Sequence, residues 1–142
     1  MEVSRHLSLV NNLDEIIQLG EFVEEICETI HLDAESTMGM NLAMEEAVVN
    51  VINYAYPEGT TGDIHVEAHA DDTSLTFVIR DSGKPFDPTA VKEPDTSLPA
   101  EERPIGGLGI YLIRSYMDEV SYERTTASPK GENVLTLVKK LT

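Results

Sequence analysis

The sequence predicts a two-layer α/β sandwich, an α+β arrangement of helices packed on one sheet, and three observations carry that prediction. Apolar and polar residues alternate in Ile64-His65-Val66-Glu67-Ala68-His69 and again through Leu75, Phe77 and Ile79, the period of strands with one wet face. Apolar residues recur at helical spacing in Leu13, Ile16, Ile17, Phe22, Val23, Ile26 and Ile30, and again in Met40, Ala43, Met44, Ala47, Val48, Val51 and Ile52. The 142 residues, 41% hydrophobic and 25% charged, match one globular domain able to bury a core of useful size.

The elements follow in order. Residues 3–10 suit a short strand. Asn12-x-x-Glu15 has the form of a capping box and opens a helix reaching about Ile30. His31 to Glu35 is a break. The next helix runs to Tyr56-Pro57-Glu58-Gly59, where Pro and Gly stop it. A strand through Ile64, Val66 and Ala68 turns at Asp71-Asp72-Thr73 into a paired strand from Leu75 to Arg80. From Asp87 to Pro104 no period survives, and Pro88, Pro94, Pro99 and Pro104 stand among many charges. So long a stretch without pattern inside a compact domain is typically functional or disordered. Residues 107–116 read as a helix, Glu119 to Arg124 as a strand, and Asn133 to Leu141 as the last strand. No repeat or second domain is visible, so 1–142 reads as a single domain.

Charge and composition exclude several classes. A net charge of -16 argues against sequence-independent binding to nucleic acid or to an anionic membrane, both of which need a basic surface. No apolar run approaches the length of a membrane span, and Met-Glu-Val-Ser-Arg-His lacks the basic and apolar regions of a signal peptide, so a cytoplasmic location is expected. The single cysteine, Cys27, lies in the series Phe22, Val23, Ile26, Cys27, Ile30 and reads as a buried core thiol. His65 and His69 share a strand face but stand about 13 Å apart at strand rise, too far to share one zinc. His6 and His31 are isolated, and no residue set suggests nucleophilic catalysis by Ser/His/Asp or Cys/His.

Three segments carry chemistry. On the second helix Glu46, Asn50 and Asn53 project from the side away from the apolar stripe, at offsets of four and three. A carboxylate there can take a proton, and an amide oxygen can hold a hard cation such as magnesium. At the end of the Leu75–Ile79 strand comes Asp81-Ser82-Gly83, an acceptor beside a backbone that a flat ligand can approach closely. Ile105-Gly106-Gly107-Leu108-Gly109-Ile110 then leads three glycines into a helix, the layout of a phosphate cradle with free N–H groups at a helix N-terminus. Singly, each is common in an amphipathic helix, a turn or a loop. Their order and spacing together carry the signal.

Together they resemble the Bergerat-fold (GHKL) ATPases, the superfamily of DNA gyrase, the heat-shock chaperone ATPases, sensor histidine kinases and MutL. Glu46-x-x-x-Asn50 is similar to its first box, Asp81-x-Gly83 to its second and Gly107-x-Gly109 to its third, over a stretch from about residue 35 to the last strand. Within the superfamily the likeness runs to the stand-alone anti-sigma factor serine kinases of the RsbW and SpoIIAB type. It rests on Glu-Ala-x-x-Asn followed by Ala55-Tyr56-Pro57, on Gly83-Lys84-Pro85-Phe86-Asp87-Pro88, and on Gly-Gly-Leu-Gly-Ile-Tyr-Leu-Ile.

The resemblance implies a histidine-kinase-like ATPase fold, a mixed sheet covered on one face by helices, with an ATP lid at about 87–106. It implies ATP and magnesium as ligands. Asp81 is expected to accept the adenine amine hydrogen and Gly83 to let the base lie close. Asn50 is expected to hold magnesium, Glu46 to act as general base, and Gly106, Gly107, Leu108 and Gly109 to hold the phosphates. Asn53 is expected to line the phosphate region, and Arg103 to contact phosphate from the lid. The implied activity is a protein serine/threonine kinase acting on an anti-sigma factor antagonist of the STAS type and binding a sigma factor. A non-catalytic ATP-binding module and the catalytic half of a two-component histidine kinase are the alternatives, and a homodimer is left open. Two departures stand out. Where relatives begin the last strand Gly-Thr, with the Thr supporting the adenine Asp, this chain has Gly131-Glu132-Asn133, with Thr136 further on; Thr136 is counted among the expected nucleotide-binding residues, and which group replaces the threonine is left open. Tyr54 stands where close relatives often have His.

Overall fold

The structure, a computed structural model, describes residues 1–90, 107–126 and 131–141. Strand β1 (Val3–Val10) leads through a 3-10 turn at Leu13–Glu15 into α1 (Ile16–Thr29), and α2 (Ala34–Asn50) follows. A π-helical turn over Val51–Ala55 closes α2; then come β2 (Asp63–Ala70), β3 (Ser74–Asp81), a 3-10 turn at Pro88–Ala90, α3 (Gly107–Tyr116), β4 (Glu119–Thr125) and β5 (Glu132–Lys140). The five strands form one sheet in the order β1-β2-β3-β5-β4.

Every pairing in that sheet is antiparallel, which corrects the expected mixed sheet. The helical hairpin α1–α2 returns the chain so that β2 enters against β1. Strands β3 and β4, with α3 between them along the chain, run the same way, but β5 lies between them in the sheet and no parallel ladder forms there.

Strand alternation decides what faces the helices. Ile64, Val66, Ala68, Leu75, Phe77, Ile79, Leu135 and Leu137 are buried on one face against α1, α2 and α3. The same parity places Asp81 and Asn133 on that face, opposite one another in the β3–β5 register. The other face is polar: Arg80 there bridges Glu67 (3.1 Å) and Glu132 (3.3 Å), half-exposed pairs each worth at most about 1 kcal/mol.

The helices depart from expectation in detail. Asn12 caps the 3-10 turn, its side chain accepting from the Asp14 N–H at 2.9 Å, while the Glu15 carboxylate accepts from Val10 N at 3.3 Å. The anticipated capping box therefore divides between two backbone segments. Leu19, Val23, Ile26 and Cys27 form the buried side of α1, whereas Ile17 is 72% exposed and Leu13 56%. Ile17 falls on the helix face that carries Glu21, Glu24 and Glu28, out of step with the buried positions. Cys27 is buried as expected, and burial pushes its thiol up to about 11. Helix α2 starts at Asp33, whose carboxylate accepts from the Ser36 N–H at 2.6 Å, and it packs against both α1 and α3. Gly39 lets the Tyr116 ring of α3 approach, since a Cβ there would stand 2.5 Å from the ring.

Candidate functional site

The end of α2 is the spine of the site. Asn50 lies on its buried side, 8% exposed, with Glu46 one turn earlier and half-buried. Among the described residues neither side chain makes a hydrogen bond or ion pair. A buried carboxamide without partners is costly unless a ligand supplies them. Gly109 of α3 faces both: a Cβ there would stand 3.0 Å from Glu46 Oε2 and 3.4 Å from Asn50 Nδ2. The first and third sequence segments therefore meet through a glycine with no side chain to separate them. Gly107 and Leu108 open α3, whose first-turn N–H groups have no partner within the helix.

The second segment is fastened to the same spine. After Asn50 the helix widens into its π turn, a feature often found at functional sites. The Ala55 carbonyl at the end of that turn accepts from Lys84 N at 2.8 Å. Gly83 presses on it so closely that a Cβ would sit 2.4 Å from the Ala55 oxygen. The Tyr56 hydroxyl donates to the Asp63 carbonyl at 2.7 Å and accepts from Ser82 N at 2.9 Å, joining the start of β2 to the end of β3. Tyr54 stacks on Phe86 with ring centroids 5.3 Å apart. This gives Tyr54 a role its sequence position did not disclose.

Asp81 is 3% exposed. Its Oδ1 accepts from Gly83 N at 3.0 Å and from Asn133 Nδ2 at 2.9 Å. Among the described residues its Oδ2 accepts no hydrogen bond. Burial pushes the carboxyl up from its ordinary range, against the pull of these two donors and of the Arg124 guanidinium.

One expected contact is not formed. Thr136 pairs with Val78 and Ser121 and faces the polar side of the sheet, one residue out of phase with Asn133, Leu135 and Leu137. It cannot support Asp81 from there; Asn133 does. Asn53 falls within the π turn. Its exposed side chain lines a cleft with Asn11, Asn12 and Thr60. Arg103, Gly106 and residues 91–106 of the expected lid lie outside the described residues. At the near end of that segment, Arg114 of α3 donates to the Thr89 carbonyl at 3.1 Å. Sequence reasoning missed Asn133, Tyr122, Arg124 and Tyr56, because their roles arise from strand register and tertiary hydrogen bonds.

Among the described residues no group of three or more His, Cys, Asp or Glu could hold a metal ion by itself. A cation held by one amide oxygen together with ligand oxygens fits this donor set, and the Asn50 carboxamide, without a partner among the described residues, is suited to it. No helix among the described residues is long and apolar enough to cross a membrane.

The model of the histidine kinase-like ATPase domain matches residues 9–139, and the chain belongs to that family. The serine-protein kinase RsbW of Halalkalibacterium halodurans is 34% identical over 85 residues, 57% of this chain and 51% of that protein. RsbW of Oceanobacillus iheyensis is 31% identical over 91 residues, 61% of this chain and 57% of that protein. The serine/threonine-protein kinase BtrW of Bordetella bronchiseptica is 28% identical over 116 residues, 82% of this chain and 79% of that protein. The chain thus spans just over half the length of the first two relatives. A crystal structure of the RsbU and RsbW domains of a Mycobacterium tuberculosis protein superposes with a TM-score of 0.67 over 96% of this chain and 32% of that one, at 16% identity, a likeness of fold.

Proposed function

We propose that this chain is an ATP-dependent protein serine/threonine kinase that phosphorylates an anti-sigma factor antagonist of the STAS type and binds a sigma factor in alternation with it. The observation that carries the reading is the meeting of Glu46 and Asn50 with Gly109 at the end of α2. It is supported by the serine-protein kinases among the relatives and by the buried Asp81 at the other end of the same spine.

Each residue has a defined part. Asp81 accepts a hydrogen from the exocyclic amine of adenine. Guanine presents a carbonyl at that position, which would leave the carboxylate unpaired and repelled, so ATP is favoured over GTP. Gly83 keeps the strand end open to the base. Asn50 offers its amide oxygen to magnesium, which when bound neutralises charge on the phosphates. Glu46 takes the proton from the attacking hydroxyl as the serine oxygen bonds to the γ-phosphorus and the bond from that phosphorus to the bridging oxygen of ADP breaks. The half-buried state of Glu46, without a partner among the described residues, favours this role over that of a module that only binds nucleotide, because a pure binder needs no base.

The test is to incubate the protein with ATP and magnesium and each candidate antagonist from the same genome, then map phosphate by mass spectrometry. One antagonist modified on serine or threonine is expected. Antagonists left unmodified while ATP binds would leave a regulatory nucleotide-binding module.

A further inference from the structure

We propose that Asn133 is the positioning residue for base recognition: its carboxamide fixes the Asp81 carboxylate as a one-sided acceptor and ties it to the backbone of residues 83–86. This rests on the reading of Asp81 as the adenine acceptor, and it adds a specificity-determining residue to that site.

The argument begins with the orientation of the amide. Asn133 is 4% exposed. Its Nδ2 donates to Asp81 Oδ1 at 2.9 Å and to the Lys84 carbonyl at 2.8 Å. Its Oδ1 accepts from the Tyr122 hydroxyl, from Arg124 Nη1 at 3.1 Å and from Phe86 N at 3.4 Å. Acceptors surround the nitrogen and donors surround the oxygen, so only one flip of the amide satisfies the cluster. Arg124 Nη1 also donates to the Gly83 carbonyl at 2.8 Å, while Gly83 N donates to Asp81. The residue that must lie flat under a base is thereby held from both sides of its peptide unit.

The consequence for Asp81 is chemical. With two donors on Oδ1, the carboxylate cannot turn without breaking both bonds, and Oδ2 alone is left for a ligand. Both donors also favour the ionised form. This matters for specificity, because a protonated carboxyl could donate to the carbonyl of guanine, whereas an ionised one can only accept. Asn133 therefore protects the choice of ATP over GTP as well as the affinity for ATP. Arg124 of β4 acts on Asp81 from the same face, Glu132 of β5 only through its field from the opposite face, and the Tyr56 and Tyr122 hydroxyls are coupled to it as well; all four are kept in the variants below.

The experiment is isothermal titration of ATP and GTP, with magnesium, across a range of pH, on wild type, Asn133→Ala and Asn133→Asp. Thermal unfolding of each protein is recorded in parallel. Asn133→Ala is expected to weaken ATP binding about tenfold, the scale of one hydrogen bond to a charged group, and to lower the ATP:GTP ratio. Asn133→Asp keeps the shape but turns the donor into an acceptor. It is expected to lose ATP binding at neutral pH and regain it on acidification, once the pair of carboxylates shares one proton. The isosteric variant carries the test if the alanine variant unfolds. Variants that keep the wild-type ATP:GTP ratio and pH profile, whatever their melting temperature, would overturn the role of Asn133 alone. A wild type indifferent to the base would overturn the adenine reading of Asp81 and this inference with it.

Discussion

Asp81 and Asn50 are both buried polar groups whose presence costs stability, and each cost points to a ligand. Burial raises the Asp81 carboxyl above 3.8 in the folded state. A raised carboxyl means the folded chain holds its proton more tightly than the unfolded chain does. Stability is therefore lost as pH rises from the unfolded value through the raised one, and the ionised group is a net cost at neutral pH. Asp81→Asn keeps an acceptor for Gly83 N and Asn133 Nδ2 while removing that charge. Urea unfolding from pH 4 to 7 is expected to find the wild type losing stability relative to the variant as pH rises. Titration should find ATP binding weakened by about 1.5–3 kcal/mol, the scale of a charge-assisted hydrogen bond. A variant that unfolds more easily at pH 7 and still binds ATP would make Asp81 structural. Asn50→Ala removes an unsatisfied amide, so the fold should survive; ATP affinity measured with and without magnesium should lose its dependence on the ion. An unchanged magnesium effect would place the cation elsewhere.

At the scale of elements, glycines set how closely the motif-bearing segments meet. In Gly109→Ala the new methyl would stand 3.0 Å from the flexible end of Glu46. Such an end can yield by a few tenths of an ångström, so the melting temperature should hold while phosphoryl transfer falls about tenfold through displacement of the base. In Gly83→Ala the methyl meets the Ala55 carbonyl, part of the backbone, at 2.4 Å. Calorimetry should register about 1–3 kcal/mol of destabilisation, the usual cost of overpacking. A Gly83→Ala protein as stable as wild type would mean the α2–β3 junction is looser than described. The elements themselves were legible in sequence because periods of 2 and 3.6 run through β2, β3, α1 and α2. The 3-10 and π turns were not, since a one-residue change in hydrogen-bond spacing leaves no period. Nor was the partnership of Asp81 with Asn133, 52 residues apart in the chain. Register between strands that are not consecutive has no local signature, and a one-residue slip exchanges the two faces. That is why Thr136, correct in chemistry, stood on the wrong side.

For the molecule as a whole, the three segments converge on one helix end, so a nucleotide held there would touch α2, β3 and α3 together. The segment from 87 to 104 joins two of these contacts along the chain and is rich in Pro and charge and poor in apolar residues. Amide hydrogen exchange across 87–104 is expected to slow with ATP and magnesium relative to ADP or no nucleotide, and partner affinity should change in step, since a partner biases an equilibrium only by preferring one state. Identical exchange in all three conditions, with partner affinity blind to nucleotide, would reject a switch. The central claim is that binding and chemistry are divided between neighbouring residues, Asp81 and Asn50 for the nucleotide and Glu46 for the proton. The most direct test is single-turnover transfer from ATP to the antagonist by Glu46→Gln, with ATP affinity measured on the same protein. The division predicts nearly unchanged affinity and transfer slowed by roughly 10² or more; transfer at the wild-type rate would contradict it.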